Sequence, residues 1–248
     1  MKIIVPIGFF GSGLSFLKRL SKEVILTHVI EIMPLSNHWE VKEDIKKKLD
    51  KIARNLEEKG LETKTIVRLG SPGLDVARIA ERERADMIVV PVAKGFKRHI
   101  YGSLTSSVLT FSKRPVLVVK EGFYGNAFEK PIIALPLNDP EFCLHMLHVL
   151  EGIKSMIKSA VFYHAGEHNG KLEYYAKKLG LPYELLEERR KGSLAKQILK
   201  AAASVRASSI IIGRKERLLD SIIMLGTAAT VVRKSQVPVL VIPRVKKL

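Results

Sequence analysis

Gly102-Ser-Leu-Thr-Ser-Ser-Val-Leu-Thr-Phe-Ser-Lys-Arg-Pro-Val-Leu-Val-Val119 decides the fold, because the chain carries this pattern twice. The second copy is Gly226-Thr-Ala-Ala-Thr-Val-Val-Arg-Lys-Ser-Gln-Val-Pro-Val-Leu-Val-Ile242. Each copy opens on a small pair, Gly102-Ser103 or Gly226-Thr227, suited to a tight turn into a helix, where the hydroxyl can cap exposed amides. A helical stretch follows, with a basic end (Lys113-Arg114; Arg233-Lys234) and a proline that stops it. The apolar, β-branched run after the proline reads as a strand buried on both faces. Another such run lies upstream of each copy, Asp86-Met-Ile-Val-Val-Pro91 and Ser209-Ile-Ile-Ile-Gly213. The repeated unit is strand, loop, Gly-Ser/Thr, helix, strand.

Outward from these blocks the order of elements recurs. The first repeat opens with a strand over Lys2–Ile7, a glycine-rich turn over Gly8–Gly13 and a short helix at about Leu14–Leu20. A strand at Val24–Ile30 precedes an amphipathic helix over roughly Trp39–Lys59, with Val41, Ile45, Leu49, Ile52, Ala53 and Leu56 on one face. A third strand spans about Glu62–Arg68, and Gly70-Ser71-Pro72 starts the next helix. The pattern lapses over Glu121–Lys130, which reads as a linker between domains at 1–122 and 131–248. The second repeat begins at Pro131–Leu137, where Pro136 is matched to Pro6. It continues with a helix near Glu141–Ile157 and strands at Ser159–His164 and Tyr183–Glu188. Gly192-Ser193, a second counterpart of Gly70-Ser71, opens the helix Leu194–Val205. Alternating strands and helices predict a doubly wound parallel sheet in each repeat.

Composition narrows the class. The chain has 248 residues, 46% of them hydrophobic, enough for two domains with real cores. Apolar runs are too short for a membrane span, and the start at Met1 lacks a signal-peptide pattern, so a cytoplasmic location is expected. One cysteine, Cys143, rules out an internal disulfide and a cysteine metal cage. The net charge of +17 is shared between the halves, with 22 Lys/Arg against 14 Asp/Glu through Gly125 and 20 against 11 after it. It is read as a solubilising surface, with an anionic partner as the alternative.

The duplicated block resembles the C-terminal half of a universal stress protein domain, and the chain is identified as a tandem, two-repeat member of that family. The resemblance implies two five-stranded, doubly wound parallel sheets, Rossmann-like and of the adenine nucleotide alpha hydrolase type, packed as a pseudo-dimer through Val116–Val119 and Val239–Ile242. It further implies ATP, with any magnesium accompanying the nucleotide, bound by a loop of glycine, two residues, glycine, nine residues, glycine and Ser/Thr. In repeat two Gly213 and Gly226 keep the outer glycines thirteen residues apart, whereas Glu216 replaces the middle one. In repeat one Pro91 and Lys94 replace the first two glycines, and Gly102 stands two residues too close, although Gly95 could stand in if the loop shifts. The family's acid after the first strand is matched to Gly8 and Asn138. The candidate nucleotide residues are therefore Asn138, Gly213, Arg214, Gly226 and Thr227, all in repeat two.

Other constellations are weaker. Lys94, Lys97 and Arg98, before Gly102-Ser103, could hold an anion weakly, against the plainer reading of a solvated loop. His145 and His148 near Cys143, and His164 with His168, have partial metal spacing. His28 matches His164, which points to a structural role, and no metal is expected. No nucleophile–base pair or full phosphate loop suggests catalysis. The expectation is a non-catalytic stress-response or regulatory protein that binds ATP in its second repeat. The alternatives are a nucleotide-free protein-interaction scaffold and a weak nucleic-acid binder. A protein partner and further dimerisation stay open; a membrane partner is not expected.

Overall fold

The computed structural model describes residues 1–8, 14–32, 38–92, 103–120, 122–166, 170–214 and 226–244. They fall into two compact units, Met1–Tyr124 and Gly125–Leu248. In the first, strands β1 (Lys2–Pro6), β2 (Glu23–Glu31), β3 (Glu62–Gly70), β4 (Met87–Val92) and β5 (Val116–Lys120) form a parallel sheet in the order β3-β2-β1-β4-β5. Helices α1 (His38–Glu57), α2 (Pro72–Arg82) and α3 (Ser103–Phe111) connect them. The second unit repeats this order as β8-β7-β6-β9-β10, with β6 (Ile132–Ala134), β7 (Ala160–Ala165), β8 (Tyr183–Glu188), β9 (Ile210–Arg214) and β10 (Val239–Pro243). Its helices are α4 (Pro140–Glu151), α5 (Lys171–Leu179), α6 (Leu194–Ser204) and α7 (Thr227–Lys234).

In each sheet the chain first steps outward one way and then crosses back to build the other side. Right-handed crossovers then place early and late helices on opposite faces, so both sides of the central strands are covered. The apolar runs answer to this: Ile3, Ile4, Ile88, Val89, Leu117, Ile132, Ile133, Ile210, Ile211 and Leu240 are fully buried. Helix α1 turns Leu49, Ala53 and Leu56 inward and leaves Lys47, Lys48 and Lys51 in solvent.

The ladders set the equivalence between repeats. Ile4 pairs with Ile88, which pairs with Val116; Ile132 pairs with Ile210, which pairs with Val239. Pro6 therefore corresponds to Ala134, and Pro136 to Gly8, so matching Pro6 to Pro136, and Gly8 to Asn138, is two residues out of register. Two prolines looked alike in sequence, but hydrogen-bond pairing is what determines position in a sheet.

Some boundaries differ from the sequence expectation. The helix expected at 14–20 is a 3-10 turn, Leu14–Arg19, closed by the amides of Leu20 and Ser21 on the Leu17 carbonyl. Such a short connection suits the tighter helix. The helix expected through Ile157 ends at Glu151, with Gly152 as its cap and a 3-10 turn at Lys154–Met156. Residues 125–130, read as linker, pack with the second unit: Ala127 and Phe128 are buried, and Asn126 bonds the Phe128 amide and the Met156 carbonyl. Thr227 does not cap α7; the cap is Gly226, and Thr227 is the first helical residue.

What ends the repeated helix is a serine as much as the proline. Ser112 donates to the Arg114 carbonyl and accepts from the Arg114 amide, at 2.7 and 3.0 Å. Ser235 does the same to Val237, at 2.7 and 3.1 Å. Both serines are almost completely buried, and each aims the following Pro-Val-Leu-Val run into its sheet. Ser112→Ala and Ser235→Ala should each lower unfolding stability by roughly 1–3 kcal/mol, because each removes two hydrogen bonds to part-buried backbone groups. Urea denaturation with an unchanged m-value is the check.

Candidate functional site

Ligands in open parallel sheets bind beyond the strand C-termini, where the order of strands reverses. In the second unit that point lies between β6 and β9. Four of the five candidate residues reach this edge through the sheet or helix that carries them. Gly213 and Arg214 end β9, Gly226 caps α7, and Thr227 is its first residue. Asn138 is exposed in the turn between β6 and α4.

Gly213 has a packing reason to be glycine. A Cβ there would lie 2.6 and 2.7 Å from two ring carbons of Phe142 and 3.1 Å from the Met146 sulfur. Helix α4 thus crosses the end of β9 at a distance only glycine permits. Gly226 is different: it is exposed, a Cβ on it would meet nothing within 4 Å, and its φ of −73° and ψ of 169° suit any residue. Among the described residues no side chain caps α7, which leaves its first amides and positive dipole end without a side-chain partner there. The stretch from Gly226 to Pro238 is one residue shorter than that from Gly102 to Pro115, and the difference is absorbed inside the helix: α7 has eight residues where α3 has nine. The Gly226-Thr227 pair keeps its place at the helix start.

The sequence reading overlooked Asp139. Its carboxylate accepts from the Phe142 amide at the start of α4 and lies 3.1 Å from the Arg244 guanidinium, with its side chain only 11% exposed. Arg244 also reaches Glu141 at 4.0 Å, and its amide donates to the Arg214 carbonyl. One arginine therefore ties the start of α4 to the ends of β9 and β10. The Asp139-Pro140 pair was a readable helix start; nothing in the sequence marked Arg244 as its partner.

His28 and His164 serve structure. His28 Nδ1 donates to the Ile7 carbonyl at 2.6 Å, and His164 Nδ1 to the Leu135 carbonyl at 3.1 Å, equivalent positions in the two repeats. Each closes the end of a central strand onto its neighbour. His145 stacks on Phe142, and burial holds its imidazole below the ordinary value, against an opposing bond to the Pro243 backbone and aided by nearby His148. His148 itself is exposed, and buried Cys143 bonds the Pro136 carbonyl. Among the described residues no three His, Cys, Asp or Glu side chains converge as metal ligands. At the outer strands, burial and then the Glu188 charge push the Tyr163 hydroxyl up, and that hydroxyl donates to Glu188 at 3.2 Å.

In repeat one, Ser103 opens α3 and is exposed. Lys94, Lys97, Arg98, Gly102 and Gly95 lie outside the described residues, as do Glu216 and His168. Among the described residues no helix is long and apolar enough to cross a membrane.

The model of the universal stress protein family matches residues 10–120 and 139–243, one match per repeat. Both matches begin after the first strand, so neither reaches Gly8 or Asn138. Universal stress protein MJ0577 of Methanocaldococcus jannaschii is 36% identical over 80 residues, covering 32% of this chain and 49% of that protein. The chain thus spans about half of that relative's length. Universal stress protein MJ0531 of the same organism is 28% identical over 121 residues, covering 44% of this chain and 71% of the relative. Over the whole chain, the crystal structure of a universal stress protein from Archaeoglobus fulgidus superposes with a TM-score of 0.78 at 21% identity, covering 98% of this chain and 96% of that one. This last likeness shows the fold.

Two outcomes are expected. Gly213→Ala should cost roughly 1–3 kcal/mol through overpacking against Phe142, while Gly226→Ala stays within about 0.5 kcal/mol of wild type; chemical denaturation distinguishes them. Stability should also be full above about pH 6.5 and decline below it, since the unfolded chain takes up a proton that folded His145 resists. A His145→Gln variant should lose less stability than wild type between neutral and mildly acid pH.

Proposed function

The chain belongs to the universal stress protein family, and on that premise we propose that its second repeat binds an adenine nucleotide as a non-catalytic, regulatory module of a stress response. The observation that carries the reading is the open start of α7. Gly226 leaves the first helical amides without a side-chain cap among the described residues, at the edge where β9 ends, which is where a triphosphate finds donors and a favourable dipole. Arg214 stands at the end of that strand, Thr227 supplies a hydroxyl on the first turn, and exposed Asn138 can donate to and accept from a ribose or base. Magnesium would enter with the nucleotide's phosphates.

One observation favours a second reading, a protein-interaction scaffold without nucleotide. Gly213 is explained by Phe142 alone, and the acid at this edge, Asp139, is already held by Arg244. The two readings part on one residue. Gly226→Asp places a good helix cap at a sterically open position, so the fold should hold or gain up to about 1 kcal/mol, while the carboxylate repels phosphate. Isothermal titration of nucleotide-stripped protein with ATP and magnesium should show one site, absent from Gly226→Asp. No heat and no thermal shift with wild type would leave the scaffold reading standing.

A further inference from the structure

From Arg189 to Lys215 the chain has eight lysines and arginines and not one aspartate or glutamate. The structure gathers part of that run onto one surface. Arg189, Arg190 and Lys191 form the exposed loop between β8 and α6, and Lys196 and Lys200 lie on the exposed face of α6. Spaced four residues apart, these two lysines stand one above the other on the helix. The opposite face, Ala195, Ile198, Ala201 and Ala202, is buried. None of the five cations has an ion pair among the described residues, whereas Lys2, Lys64, Arg114, Lys130, Lys158 and Lys177 each have a carboxylate partner.

The loop is built rather than loose. Gln197 accepts from the Lys191 amide at 3.1 Å and donates to the Arg189 carbonyl at 3.0 Å, bridging both ends of the basic triplet. Comparison with repeat one shows what changed. Arg68 and Glu188 hold the same ladder position, paired with Val29 and Ala165, and Ser71 and Ser193 both precede their helices. Two residues separate the first pair and four the second, so repeat two has a longer loop, and its additional length is basic. Asp75, which accepts from the Ser71 amide in repeat one, is answered by uncharged Gln197. Residues 68–84 carry four cations against three acids. The nearest acids on β8 are engaged: Glu188 by Tyr163 and Gln197, Glu184 by Lys130, and Glu187 has a partner of its own.

We propose that the Arg189–Lys191 loop and the Lys196–Lys200 face of α6 form a docking surface for the phosphate backbone of duplex nucleic acid. An unpaired cationic stripe with no acid in it matches a regular row of phosphates by charge. No aromatic residue lies between Arg189 and Arg206, so the surface has no means of stacking unpaired bases and reads backbone charge without sequence preference. It lies on α6 and the loop before it, and its proposal does not rest on nucleotide binding at α7.

The test is fluorescence anisotropy with labelled mixed-sequence duplex DNA across about 50 to 200 mM salt. The five-site variant Arg189→Gln, Arg190→Gln, Lys191→Gln, Lys196→Gln, Lys200→Gln is compared with an equal-charge control, Lys18→Gln, Lys22→Gln, Lys48→Gln, Lys51→Gln, Lys59→Gln. Wild type should bind in the micromolar range with steep salt dependence. The stripe variant should lose at least about tenfold in affinity and roughly 0.9 of the log–log salt slope per contact removed, while the control changes less than about twofold. Should the stripe variant unfold, Arg190→Gln with Lys200→Gln carries the same expectation on a smaller scale. No binding by wild type at low salt, equal losses in both variants, or binding to vesicles of anionic phospholipid without binding to duplex would each overturn the proposal.

Discussion

The parallel ladder buried on both faces constrains everything else in this protein. Its backbone amides and carbonyls have no water to turn to, so each central strand must satisfy them on its neighbours. The pairings of Ile4 with Ile88 and Val116, and of Ile132 with Ile210 and Val239, are the consequence. Once those registers hold, every loop at the C-terminal edge starts from a fixed height. The serine turns at Ser112 and Ser235 deliver the last strand of each unit to its ladder, and His28 and His164 close the ends of β1 and β6 onto β2 and β7. These features recur because the same backbone problem is solved twice.

Against that common frame the repeats diverge at their edges. The second unit replaces a twenty-residue α1 by the nine-residue α5 in its β7–β8 connection, lengthens the loop before α6, and exchanges Asp75 for Gln197. It also gains a clasp, Asp139 with Arg244, across the point where the strand order reverses. A half-buried ion pair of this kind adds little net stability, because desolvation offsets attraction, yet breaking it leaves a charge exposed to a poor environment. Its clearer effect is geometric. It holds the start of α4 against the ends of β9 and β10, the same neighbourhood in which Phe142 demands glycine at position 213.

Glycine motifs deserve separate accounting residue by residue. In sequence, Gly213 and Gly226 look like two parts of one phosphate loop. In space they do unlike things, one admitting a ring and the other leaving a helix start bare. Spacing alone could not separate them, since both satisfy the same pattern. The charge excess divides similarly: some surface cations, such as Lys64 and Arg114, pair with carboxylates, and the row along α6 and the loop before it does not among the described residues.

The sequence by itself determined the duplication, the parallel α/β class, the positions of most helices and strands, and the family, while α5 (Lys171–Leu179) was read only as a connection and α4 was carried six residues too far. These follow from local periodicity and from prolines and glycines that punctuate it, signals carried by neighbours in the chain. It also showed that His28 and His164 share one role, because they stand at matching places in matching strands. Only the tertiary structure decided the register that equates Pro136 with Gly8, the partner of Asp139, and the reason for Gly213. Those depend on which segments meet across long separations, and Asp139 with Arg244, or Gly213 with Phe142, come together only through the sheet between them. Contact at a distance leaves no periodic trace in a single chain.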